Sequence, residues 1–518
     1  MSDLSRVCDT TIRWGILGLI VFTPFAFGTV EPWSQAIMEW GIITLFLVFL
    51  LGALWPSPGR AARRLRLTGL EIPIGLFVLF CAAQTIPLPP DLLRVISPGA
   101  ARASAVPEFP SQEVRGNLPA SVARDEGTAL FSGLPDWRPI SVHPQETRTR
   151  VRLLVSLATL FLLAAAWAER MERARFLLTS IAVVGFLVSV QGLVQHLTWN
   201  GKVLWIRKVP PSAAFGPFVN HNHFAGYVEM IIPIAISLAF YSMQAGGAPP
   251  REERAGVGPL VVNSAERGRR SKAALALFSA VILGVALVLS LSRGGLLSTL
   301  VSGLLLFAAL WRRMPSRLLA AVALALPVIA VALILWIGAG SVAQQMGTYK
   351  TVEHEASFRF RVIIWKSLLR NLPDFLWVGS GLGTFEDSFA PFTPPGSAKR
   401  WDRAHNDYLQ VLWETGIVGL VLTLSGACIF VRRYWWPALK SRGHPLDVFR
   451  VGIAVSILSI AIHSLVDFNL QIGSNGFLFA LLAGLLVAVD RVTGRDPRTL
   501  ETVDPQGPGR MPVAVATP

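Results

Sequence analysis

The sequence predicts an all-α, polytopic membrane protein of about twelve transmembrane helices, with a large helical extracytoplasmic loop before the tenth. Three observations lead there. Of the 518 residues, 52% are hydrophobic and only 15% charged, whereas a soluble domain of this length carries about 25% charged residues. The charges cluster between apolar runs that approach the ~20 residues needed to cross ~30 Å of hydrocarbon. The basic residues are also lopsided. Segments on one side of the alternating pattern hold 27 of the 47 Lys and Arg, at about twice the density of the other side, which marks them as cytoplasmic.

The net charge of +15 is therefore a topology signal, and no nucleic-acid partner is expected. Cys8, Cys81 and Cys428 lie scattered in or near apolar segments. They read as small buried hydrophobes, not as a disulfide framework or metal cluster. The first apolar run has no small-residue cleavage site after it, so a retained span is expected.

Taken in order, runs at 12–30, 35–55 and 69–89 make an N-terminal unit, 1–89. The loop 90–150 is rich in Pro, Ser, Gly and Arg. Its opening, LPPDLLRVIS, reads as a short interfacial helix, and its middle has little apolar periodicity. Runs at 151–168, 175–196, 223–243, 273–292, 294–311 and 318–338 form the unit 151–338. The pair around Arg293 is either two full spans or one broken element. The loop 339–405 holds a helical stretch, SFRFRVIIWKSLLRNL, then a turn, GSGLGTF. Runs at 406–430, 451–470 and 473–489 form the unit 406–490, and 491–518 is expected to be a disordered cytoplasmic tail. Both termini are then cytoplasmic, and 90–150, 197–222 and 339–405 lie outside. Loops of this length are usually functional or disordered.

Four outer segments carry groups capable of chemistry. In Arg403-Ala-His405-Asn406-Asp407, a helix starting at His405 would leave the imidazole at its mouth while Leu409, Leu412 and Trp413 pack. Asn406 or Asp407 would cap it. An imidazole there serves either as a general base near neutral pH or as an interfacial hydrogen-bonding group. Arg293, between two glycines and an apolar run, sits at membrane depth on the side where topology gives a basic residue no purpose. It suits a phosphate by its planar fork, or it snorkels to the headgroups. Arg361 and Trp365, four apart, share a helix face. They offer an anion site with an aromatic platform, or a basic interfacial helix. Finally, Asn220, His221, Asn222 and His223 crowd the start of a span, as sugar ligands or as caps.

Other chemistries have less behind them. His221 and His223 could join Glu353, His354 and Glu355 in a metal cage, but the spacing is not diagnostic and no Asp-x-Asp occurs, so neither metal nor cofactor is expected. P-loop, Gly-x-Ser-x-Gly and His-Glu-x-x-His signatures are absent. Glu71, Glu229, Glu414 and Asp467 fall in apolar runs without forming an obvious relay.

Together GPFVNHNHFAGYVEMIIP, LSLSRGG, FRVIIWKSLLRN…GSGLGTFEDSF and HNDYLQVLWETGIVGL resemble, in order over roughly 200–430, the O-antigen ligase/polymerase superfamily of bacterial inner-membrane glycosyltransferases. The resemblance implies transfer of a glycan from undecaprenyl diphosphate to an acceptor hydroxyl, inverting and metal-independent, at the periplasmic face. It puts the family's loop histidine on His405 and its two arginines on Arg293 and Arg361. The role of the motif on which Asn220–His223 falls is less defined, and Trp365, Arg403, Asn406 and Asp407 are expected to bind substrate or shape the site. The acceptor would be a glycan, the lipid A core or a protein hydroxyl, beside the bilayer. A chain polymerase of the same superfamily is the nearest alternative. A lipid-linked saccharide transporter is the rival from another class, but it calls for polar groups near mid-membrane.

Overall fold

The computed structural model describes residues 2–54, 66–105, 137–209, 214–244, 259–311, 353–393, 401–441 and 444–494. The span expected at 318–338 and the tail beyond 494 lie outside the described residues. Helix dominates, and the strands are two short pairs. Among the described residues, eight helices are long and apolar enough to cross a membrane.

The long helices are α1 (Ser2–Phe25), α2 (Pro32–Leu54), α6 (Pro144–Trp167), α7 (Met171–Leu197), α8 (His221–Gln244), α9 (Pro259–Leu289), α10 (Arg293–Leu310), α13 (Asp407–Phe430), α15 (Asp447–His463) and α16 (Gly473–Thr493), with the shorter α3 at Glu71–Ala83 and α14 at Trp436–Lys440. Helix α8 packs against α7, α9, α10 and α15, while α16 packs against α6 and α15. Both are apolar on nearly every side and form the centre of the bundle, as an all-round apolar helix must. Helix α13 instead turns Val418, Val421 and Leu424 outward. Cys8 and Cys81 are buried, but Cys428 is exposed on that outward helix, contrary to the sequence expectation.

Several ends differ from the sequence expectation, and each has a local cause. Helix α3 stops at Ala83 because Pro87 cannot continue it, and Pro87–Leu88 pairs with Arg138–Pro139 instead. At 13 residues it is shorter than the run 69–89 that suggested it. The run 273–311 is two helices, parted at Ser290–Ser292, where Leu291 takes a left-handed φ of 58°. Ser292 caps the second by accepting from the Gly295 N–H. Helix α15 ends at His463, not 470, and the carbonyls of the next two residues are taken from outside. Asn406 Nδ2 donates to the Leu465 carbonyl at 2.8 Å and the Asp407 N–H to the Ser464 carbonyl at 3.0 Å.

The segment after α3 adds α4 (Pro90–Ile96) and α5 (Pro98–Ala105). These pack with α11 (Glu353–Asn371) and α12 (Phe385–Phe389) around a second apolar core. Trp413 of α13 sits at its middle, ringed by Phe375, Phe385, Phe389 and Phe392, with its indole donating to Ser388 Oγ at 2.8 Å. Gln84 stitches the two outer segments together, donating to the Val378 and Glu414 carbonyls and accepting from the Leu382 N–H.

Two ends of the bundle can be told apart. At one, the α1–α2 turn meets the start of α16 through Ser474 N–H to Gly28 O, beside the starts of α8, α10 and α13. At the other, Trp167 donates to Asp9, Arg491 meets Glu169 and the Arg66 carbonyl, and Tyr434 reaches Thr68.

Candidate active site

The turn between α15 and α16, residues 464–472, is the floor of the site. Its backbone winds back on His463, whose carbonyl accepts from the N–H of Val466 and of Asp467. The entry to α13 is sewn to it. Asn406 is the N-cap, accepting from the Leu409 N–H at 3.0 Å, and Asp407 is the first helical residue. Buried Asp407 accepts from the Leu470 N–H and from Gln471 Nε2, so it braces the turn and does not cap.

This bracing decides where His405 stands. The sequence suggested the first residue of a helix; instead His405 precedes the cap in a left-handed conformation, φ 48°. On its N-terminal side, Ala404 is held by Gln410 through its N–H and by the Trp365 indole through its carbonyl. With both neighbours fixed, the strain of a left-handed non-glycine residue, about 1 kcal/mol or more, is borne by the fold. The imidazole then lies between Trp401 and Phe468, ring centroids 6.2 and 5.0 Å away. Its Nδ1 is 3.4 Å from Asp467 Oδ1.

Asp467 is the hub. Its side chain is 1% exposed, and Arg361 Nη2 is 3.6 Å from its other oxygen. Arg361 also donates to the Val466 carbonyl next door. Burial alone would raise the Asp467 carboxyl, but His405, then Arg361 and His223, hold it well below the usual carboxylate range. One carboxylate thus stands between an imidazole and a guanidinium, both of which keep partial access to the outside.

The other expected residues divide between this centre and its supports. His223 joins it: its ring stands edge-on to Phe468 at 4.8 Å, the same ring that His405 contacts, and both ring nitrogens are buried without a hydrogen-bond partner among the described residues. Arg403 lies over the same phenyl ring at 6.0 Å. Arg293 opens α10 as an exposed residue. The next residue, Gly294, abuts His463 and Val466, which brings the start of α10 to the same turn. Asn220 is a cap, accepting from the Asn222 N–H at 2.8 Å, and its carbonyl takes the His223 and Phe224 N–H groups. His221 and Asn222 flank it at the helix start, partly buried. Trp365 holds Ala404 by its indole N–H and so offers the site a support. The side chains of Glu353, His354 and Glu355, named for a metal cage, lie outside the described residues.

The apolar-run carboxylates resolve individually. Glu71 accepts from the Thr68 and Gly69 N–H groups at the start of α3. Glu414 accepts from Gly383, Phe385 and Gln410 and ties the outer loop to α13. Glu229 pairs with His463 and Ser298. Sequence reasoning passed over Asp467 as a site residue; its signal was a carboxylate in an apolar run, four residues beyond a histidine.

A polytopic helical bundle with an imidazole, a guanidinium and a buried carboxylate brought together at one end is the class that fold and site define. Residues 278–424 match the family described as O-antigen ligase, and that match supports the O-antigen ligase superfamily for this segment. That family includes ligases and polymerases acting on glycans, which supports a glycosyltransferase-like enzyme in the broad sense, and together with the apolar helices it supports a multi-pass bacterial membrane protein. No curated protein matches the chain. Arg293, Arg361 and His405 fall inside the matched segment, whereas His223 and Asp467 lie outside it.

Proposed function

We propose that the chain transfers a glycan from undecaprenyl diphosphate to an acceptor hydroxyl at the periplasmic face of the inner membrane, with inversion and without a metal. Both termini would be cytoplasmic. The observation that carries this reading is the Asp467 carboxylate set between His405 and Arg361. A base needs an orienting partner that also stabilises its protonated form, and a buried carboxylate at Nδ1 does both. That leaves Nε2 of His405 to take the acceptor proton.

The bookkeeping of bonds is simple. The acceptor oxygen bonds to the anomeric carbon from the face opposite the lipid, the carbon–oxygen bond to the diphosphate breaks, and the proton passes to His405. Undecaprenyl diphosphate departs as an anion, needing no proton because it is already a good leaving group. Arg361 and Arg293 meet its growing charge with fixed guanidinium groups. The bilayer confines the donor to two dimensions beside the site, which contributes to positioning.

The test is a purified full-length chain with the lipid-diphosphate saccharide that accumulates in cells lacking the gene. His405→Ala should lower transfer by about 100-fold or more while the protein still inserts and purifies. Wild-type rates would end the base assignment. Arg293→Lys keeps charge but loses the fork and should cut transfer severely; no effect would return Arg293 to snorkelling. Product length separates the two family activities, since a single addition marks a ligase and a ladder marks a polymerase.

A further inference from the structure

Three buried side chains outside this reaction scheme meet where α8, α10 and α15 cross. Ser298 Oγ lies 2.5 Å from Glu229 Oε2 and 3.0 Å from the Gly295 carbonyl. His463 Nδ1 lies 3.2 and 3.1 Å from Oε1 and Oε2 of Glu229. Glu229 and Ser298 are 0% exposed and His463 1%. Helix α10 comes this close only because residue 294 is glycine. A Cβ there would lie 2.7 Å from His463 Nε2 and 3.1 Å from Val466 Cγ2.

The Ser298 hydroxyl has Glu229 Oε2 and the Gly295 carbonyl as its acceptors, and both Glu229 oxygens face His463 Nδ1. The three side chains thus find partners in one another, which offsets the cost of burying polar groups inside a bundle.

What the chain connects gives it a role. It ties the first turn of α10, which begins at Arg293, to α8 below His223 and to His463. The His463 carbonyl in turn receives the N–H groups of Val466 and Asp467. Val466 accepts from Arg361, and Asp467 stands beside His405. We propose that Glu229, Ser298 and His463 form a hydrogen-bonded clamp that positions Arg293 relative to the Asp467–His405 pair. They are positioning residues for the transfer reaction, and the inference rests on that reading. A site held only at its reacting groups is too loose to catalyse well, so supporting bonds of this kind set its geometry.

The experiment uses the purified full-length chain and the lipid-diphosphate saccharide extracted from cells lacking the gene. Glu229→Gln keeps both contacts, since its amide oxygen accepts from His463 and its amide nitrogen donates to Ser298, whose hydroxyl then turns to the Gly295 carbonyl. It should hold kcat within about threefold, whereas Glu229→Ala should lower kcat by about tenfold or more. Because both act through one geometry, the losses of Glu229→Ala and Arg293→Ala should not multiply when combined. If Glu229→Ala does not insert, Ser298→Ala and Gly294→Ala carry the same comparison with Arg293→Ala. The proposal is overturned if Glu229→Gln is as damaging as Glu229→Ala, which would make the carboxylate's charge the working property. It is equally overturned if the losses multiply. Wild-type protein that turns over no donor would sink the transfer reading itself and the clamp's role with it, an outcome visible before any variant is compared.

Discussion

Asp467 does two things that pull in opposite directions. It is almost wholly buried, which penalises its charge, yet it faces His405 and Arg361, which favour it. The second effect wins, and the carboxyl is held well below its ordinary value. A folded-state value below the unfolded one means stabilisation that is complete above the unfolded value, near pH 4, and lost as pH falls toward the folded value. Asp467→Asn should therefore lower the melting temperature of the detergent-solubilised protein at pH 7. The gap to wild type should narrow as pH drops below about 4, because the wild-type advantage is then disappearing. A gap independent of pH would mean that the carboxylate's charge contributes nothing and only its shape matters. The same substitution should reduce transfer at pH 7, since the amide cannot stabilise a protonated His405.

Among the elements, α13 shows most clearly how the outer loop is fastened. Gly416 interrupts it with φ 61° and ψ −165°, and the freed N–H groups of Ile417 and Val418 donate to the carbonyls of Leu376 and Trp377. A Cβ at 416 would meet the Trp377 carbonyl group at 2.5 Å. Gly416→Ala thus faces both a left-handed backbone and a collision, and it should destabilise the protein by about 2 kcal/mol or more. Transfer should fall further than the melting temperature alone explains, because the loop's aromatic core around Trp413 and the Trp365–Ala404 contact both depend on that docking. Limited proteolysis of the loop in detergent checks this, with faster cleavage in the variant expected and unchanged cleavage counting against it. The helices themselves were legible because apolar length is a strong signal. Their ends were not: α15 stops where Asn406 and Asp407, more than fifty residues upstream, take the carbonyls of Leu465 and Ser464 just beyond it, and no local pattern records that. His405 was legible by residue type, but its left-handed backbone follows from Gln410, Trp365 and Leu465, which sequence spacing does not bring together.

At the scale of the whole molecule, the segments after α3 and before α13 are one body. Ser97 donates to the Gly379 carbonyl, Arg102 meets Asp374, and His143 Nδ1 lies 2.7 Å from Asp387. The polar, Pro-rich segment 90–150 gave little sign of this in sequence, since a contact between two polar loops leaves no periodicity. Its consequence is that both must lie on the same side of the membrane as the starts of α8, α10, α13 and α16. The orientation we propose puts that side at the periplasm. Single-cysteine labelling decides the matter, after replacing exposed Cys428 by Ala and leaving the buried Cys8 and Cys81 in place. Arg94, with 71% of its side chain exposed, belongs to the body formed with the 353–393 segment, and Arg270, with 80% exposed, to the N-terminal half of α9. Arg94→Cys should react with a membrane-impermeant maleimide in intact spheroplasts, whereas Arg270→Cys should react only after permeabilisation. The reverse pattern would place His405 and Asp467 at the cytoplasmic face, where a glycan already carried across on its lipid is out of reach. In that event the fold would stand and the transfer reaction proposed for it would not.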